Sequence, residues 1–113
     1  MSDFQAFDLE SLRERLAAPG VGYTEFVHRP DLSLGLYVLA AGGTDPQSPH
    51  FEDEAYFVVS GRGRFTAGDQ ERAISAGDTL FVPARLPHHF HDIEQELVLL
   101  VFFGPAEGSR KPR

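Results

Sequence analysis

The chain has 113 residues, the length of one small domain, with 42% apolar residues and a formal net charge of −7. It contains no cysteine, which excludes disulfides and thiolate metal sites and leaves nitrogen and oxygen as the metal donors. The acidic balance repels a nucleic-acid backbone unless basic residues cluster on one face, and no apolar run is long enough to cross a bilayer, so a cytoplasmic protein with neither a nucleic-acid nor a membrane partner is expected.

Residues 1–10 are polar and acidic with no apolar h-region, and read as no signal peptide. Leu9, Leu12 and Leu16 then fall at helical spacing, with Ser11, Arg13, Glu14 and Arg15 on the other sides. Asp8 caps this helix and Pro19-Gly20 ends it, so residues 1–20 form a helical extension packed on the outside of the domain.

After Gly22 the period changes to that of short strands. Residues 23–29 read as a strand and Pro30-Asp31 as a turn; Leu34, Leu36, Val38 and Ala40 alternate until Gly42-Gly43 interrupts them. Residues 55–60 form the next strand, Gly61-Arg62-Gly63 a hairpin turn, and residues 64–67 the return. Gly68-Asp69 and Gly77-Asp78 turn again around short strands at 72–74 and 79–82, the latter stopped by Pro83. Residues 88–93 and 97–103 complete an all-β set of the kind that closes into a sandwich or barrel. The barrel spans 21–104; residues 105–113 form a polar tail, ending Arg110-Lys111-Pro112-Arg113, that is expected to fray.

Several strands are apolar on both faces: Phe57 and Val59 alternate with Tyr56 and Val58, and 97–103 is apolar almost throughout. One face fills the barrel and the other needs cover, from the N-terminal segment or from a second copy of the chain, which is the ground for expecting a homodimer.

The segment 42–63 runs G-G-T-D-P-Q-S-P-H-F-E-D-E-A-Y-F-V-V-S-G-R-G, and 77–92 runs G-D-T-L-F-V-P-A-R-L-P-H-H-F-H-D. Here the sequence resembles the cupin family. Gly42, His50, Glu54 and Gly61 fall at places of the first cupin motif, with Ser48 at the position of its first histidine. Gly77, Pro83 and His88 fit the second motif, where Arg85 replaces a glycine and Asp92 an asparagine. The resemblance covers about residues 21–103 and implies a double-stranded β-helix, a jelly-roll barrel, that holds one divalent transition metal: iron, manganese, nickel, cobalt or zinc.

The ligands it implies are His50, Glu54 and His88, two imidazoles and a carboxylate that leave coordination positions open. On a regular strand Ser48 and His50 share a face, Glu54 opens the following strand, and His88 arrives from a strand distant in sequence. Ser48 removes the fourth ligand common in the family; Gln47, Ser48 or a water stands in. The alternative is a hydrogen bond between His50 and Glu54 with no metal. His89 and His91 have the opposite parity to His88 and face outward, and nothing ties His28 to the site. Glu52 and Asp53 read as a solvated turn or as carboxylates that orient a ligand histidine, and Asp92 as an orienting partner for His88. Tyr56, Val58, Phe81 and Phe90 are candidates for a barrel lining that favours an apolar or aromatic substrate.

Three functions remain open: a metal-dependent oxygenase, such as a dioxygenase, acting on a small organic molecule, with Glu54 also available as proton acceptor; a metal-dependent sugar or keto-acid isomerase or epimerase; and a non-catalytic small-molecule-binding module. No residue dedicated to proton transfer stands out beyond the metal set, which weighs against the isomerase.

Overall fold

The structure, a computed structural model, describes residues 4–112. The expectations placed on residues 1–3 and on Arg113 lie outside the described residues.

One short helix precedes six strands: α1 Leu9–Arg13, β1 Gly22–Arg29, β2 Leu32–Leu39, β3 Asp53–Ala67, β4 Gln70–Ser75, β5 Thr79–Val82 and β6 His88–Gly104. The helix starts as expected, with the Asp8 carboxylate accepting from the Ser11 amide at 3.0 Å. It is shorter than its leucine spacing predicts, because Glu14 already closes it, well before Pro19-Gly20.

All pairing is antiparallel, in the order β1-β2-β6-β3-β4, with β5 added to β3. The two long strands pair from Asp53↔Gly104 to Ala67↔His88. Each half of β3 has its own further neighbour: β5 beside residues 54–57 and β4 beside residues 62–67. This is the double-stranded β-helix, wrapped around one core.

The expected hairpin at Gly61-Arg62-Gly63 is absent. β3 runs straight through it, and the β3–β6 register slips at Ser60 and Arg62 instead. Gly61 takes φ +93°, and a Cβ there would collide with the Glu96 carbonyl oxygen on β6. Glycine serves a bulge here rather than a chain reversal. Across this irregular level the inward parity changes. Glu54, Tyr56 and Val58 point inward before it and Phe65 after it on β3; His88 and Phe90 precede Leu97, Leu99, Val101 and Phe103 on β6.

The apolar residues on the other face have a partial cover of their own. Leu36, Val38 and Val98 pack with Leu12 of α1, and Leu16 and Phe26 close around them. The N-terminal segment therefore covers that part of the outer face. Phe57 and Phe81 remain exposed, Phe81 by 67%.

The tail is not frayed where it is described. Ala106 is fully buried, and the Glu107 amide donates to Ser33 Oγ at 2.9 Å. Glu52, expected on a solvated turn, is only 2% exposed. Its two carboxylate oxygens accept from the Gly108 amide at 3.0 Å and the Arg110 amide at 2.9 Å. A buried carboxylate that receives two backbone donors is satisfied, which is why it tolerates burial. Asp53 does sit at the surface, where it accepts from the Ala84 amide.

Candidate metal centre

Three segments meet at one end of the barrel. Glu54 and Tyr56 come from the start of β3, His88 from the start of β6, and His50 from the irregular stretch before β3. Because that stretch is not a strand, the expected shared face of Ser48 and His50 does not form. His50 and Gln47 line the cavity, whereas Ser48 is exposed. Hydrogen bonds at His50 and Asp45 hold the stretch in place. Arg85, at φ +71°, donates its amide to the His50 carbonyl at 2.6 Å. Asp45 accepts from the Phe90 amide of β6 at 2.9 Å and from Gln47 Nε2 at 2.6 Å.

His50, Glu54 and His88 each offer one ligand atom, and these atoms all lie within 4.8 Å of one another. His88 Nδ1 donates to the Leu86 carbonyl at 2.8 Å, which leaves Nε2 turned toward the site. Nε2 lies 3.0 Å from Glu54 Oε1, with both side chains almost fully buried. The contact is close but misaligned for an N–H···O bond, and Glu54 Oε1 is a buried side-chain atom that no hydrogen bond satisfies among the described residues. Cis ligands about 2.1 Å from one ion are separated by about 3 Å, so the spacing of this pair is compatible with a shared metal. The orphaned oxygen and the nitrogen–oxygen donor set together fit a divalent transition metal.

The Tyr56 hydroxyl stands over the pair, 3.2 Å from His88 Nε2, and donates to Gln47 Oε1 at 3.0 Å. Gln47 is thus engaged as an orienting partner of Tyr56. Burial, followed by the Glu54 carboxylate, pushes the Tyr56 phenol far above its ordinary pKa, so it remains a hydrogen-bond donor. His88 responds to opposed influences. Burial is the largest and lowers its pKa, but the Glu54 carboxylate, the Leu86 carbonyl and Asp45 together raise it above 6.5.

Beside His50 and Glu54 opens a cavity of about 190 Å³, with Val101 and Phe103 as its apolar wall and Tyr37, Tyr23 and Glu107 also lining it. Glu107 reaches it from the tail, with Oε2 3.6 Å from His50 Nδ1. Burial raises the pKa of this carboxyl, partly offset by His50. Tyr23 owes its position to Gly35 on the neighbouring strand, where a Cβ would overlap the tyrosine ring.

Of the other expected lining residues, Val58 and Phe90 are buried among core side chains below the cavity, and Phe81 lies on the outside of β5. Sequence reasoning missed Asp45, Glu107, Tyr23 and Tyr37. His89 is exposed, and His91 binds Thr66 Oγ1 at 2.7 Å and Asp92 at 2.7 Å, away from the ligands. Asp92 therefore orients His91 and not His88. His28 pairs with Glu25 at the surface.

A small antiparallel barrel that brings two histidines and a glutamate together at one end defines a protein of the jelly-roll class. The comparisons make that class particular. The family model for the cupin domain matches residues 35–103, and the chain belongs to the cupin family. A protein of Streptomyces coelicolor described only as uncharacterised is 44% identical over 103 residues, covering 91% of this chain and 98% of its own. The structure of KdgF from Halomonas sp. superposes with a TM-score of 0.71 at 22% identity, covering 82% of this chain and 86% of that one. A salicylate 1,2-dioxygenase variant of Pseudoaminobacter salicylatoxidans, in complex with gentisate, gives 0.69 at 21% identity, over 77% of this chain and 26% of that one. At these identities the two structures share the fold.

Proposed function

We propose that this cupin is a metal-dependent oxygenase of a small organic molecule, with one divalent transition metal held by His50, Glu54 and His88. The observation that carries the reading is the unsatisfied Glu54 Oε1 facing His88 Nε2 beside an open cavity. When bound, such an ion supplies a Lewis-acid and redox centre with coordination positions left for a chelating substrate. Val101 and Phe103 exclude water from one side of the molecule held there, and the Tyr56 hydroxyl, fixed by donating to Gln47, stands 3.2 Å from His88 Nε2. The dioxygenase among the fold neighbours lends the reading its chemistry.

Glu107 supports a second reading. A half-buried carboxyl group with raised proton affinity on the cavity wall is the proton-transfer group that an isomerase or epimerase of a sugar or keto acid needs. The two are separated by assay of iron-loaded protein. Oxygen uptake with catechols supports the oxygenase. Solvent-deuterium exchange into a keto acid without oxygen supports the isomerase, and thermal stabilisation by ligand with no turnover leaves a binding module.

Self-association belongs to the same proposal. Leu32, Phe81 and Phe102 border one shallow groove on the outer face, clear of α1, and a second copy of the chain would cover it. Light scattering at low micromolar concentration that shows monomer alone removes the dimer.

A further inference from the structure

The cavity is electrically one-sided. Among the described residues no lysine or arginine lines it, and its carboxylates are Glu54, one of the proposed ligands, and Glu107 on the wall. The phenols report the same asymmetry: burial and then carboxylates, Glu107 and Glu25 for Tyr23, Asp45 and Glu54 for Tyr37, raise their pKa, with no cation among the causes. A metal on His50, Glu54 and His88 offsets Glu54 and requires neutral imidazoles. Glu107, whose nearest charged partner is His50 at 3.6 Å, is then left as an uncompensated carboxylate. Its position is not adjustable by drift of the tail, because Ser33 and Glu52 hold the backbone on either side of its side chain.

We propose that Glu107 sets the ligand selectivity of this cavity: it admits a small metal-chelating hydroxy compound whose far end is neutral or cationic, and rejects one whose far end bears a carboxylate. The inference rests on the metal reading of the site. Sites that welcome a carboxylate present arginine or lysine to it. Here a ligand carboxylate would meet Glu107 across a half-buried gap, where like charges are poorly screened. A neutral amide or hydroxyl instead donates to Glu107.

The test uses two ligands of nearly equal size with the same chelating diol, 3,4-dihydroxybenzamide and 3,4-dihydroxybenzoate. Metal content of the full chain is measured first; then both are titrated calorimetrically into metal-loaded protein at about pH 8, above the carboxyl range. The wild type is expected to bind the amide at least about tenfold more tightly than the benzoate, with the gap narrowing as salt is raised. Glu107→Gln, with Glu107→Ala as a second variant, is expected to bring the two to within about threefold of each other at unchanged metal content. Equal binding of both by the wild type, an undiminished preference in both variants, or binding of neither compound overturns the proposal. Protein that takes up no metal fails at the first measurement, which identifies the metal reading as the error and takes the selectivity proposal with it.

Discussion

Glu54 Oε1 and His88 Nε2 meet at 3.0 Å in a buried contact at one end of the barrel, and no aligned proton joins them. Nδ1 of the same imidazole is committed to the Leu86 carbonyl, so the histidine turns Nε2, which has the Tyr56 hydroxyl 3.2 Å away, toward a carboxylate oxygen that no hydrogen bond satisfies among the described residues. Either a second proton or a cation relieves this contact, and the two compete.

That competition gives opposite pH trends with and without metal. His88 has a folded-state pKa above its unfolded value of 6.5, because Glu54, Leu86 and Asp45 outweigh the burial that would lower it. A raised histidine pKa contributes stability that is fully present below the unfolded value and lost as pH rises through the folded one. Metal-free protein in chelator is therefore expected to lose melting temperature as pH rises from below 6.5 through the alkaline side. Metal requires the neutral ring, so the stabilisation that it adds is expected to grow over the same range. Thermal scans across pH with and without metal check both. A metal increment that does not change with pH would contradict histidine ligation.

Glu52 is expected to be a stability residue that acts through the tail. Glu52→Ala leaves the Gly108 and Arg110 amides without their acceptor and opens a small void. A cost of about 2–4 kcal/mol is expected, the range for losing charge-assisted bonds from a buried carboxylate. Urea unfolding measures it, and faster amide exchange at Gly108 and Arg110 distinguishes tail release from a general loosening.

Two backbone positions predict shifts of opposite sign. Gly61→Ala places a Cβ against the Glu96 carbonyl at φ +93° and is expected to destabilise by roughly 2 kcal/mol or more. Arg85 holds φ +71° at the place where the cupin motif has glycine. Arg85→Gly relieves that conformation while adding chain entropy to the unfolded state, and a net gain of about 0.5–1 kcal/mol is expected. The same denaturation experiment reads both.

The strands and the three residues that converge, His50, Glu54 and His88, were legible in the sequence because they follow local rules. Strand parity separates His88 from His89 and His91, and motif spacing selects His50 and Glu54. Gly61-x-Gly63 misleads because a hairpin turn and a bulge both call for positive φ, and only the partner strand decides between them. Glu52, Asp45 and Glu107 were illegible for a different reason. Glu52 and Asp45 act on amides 45 to 58 residues away, and Glu107 meets a histidine brought by another segment. An isolated acidic residue carries no period that would reveal such a partner. Phe81 shows the converse, since an aromatic on a strand gives no sign of which face is covered.

The most direct test of the site is elemental analysis of untagged protein purified without metal resin, beside the His50→Ala/His88→Ala double variant. About one equivalent of a transition metal per chain in the wild type and none in the variant is the expected result, and the element found selects the assay. Absence of metal from both after reconstitution, or equal loading of both, would contradict ligation by His50, Glu54 and His88.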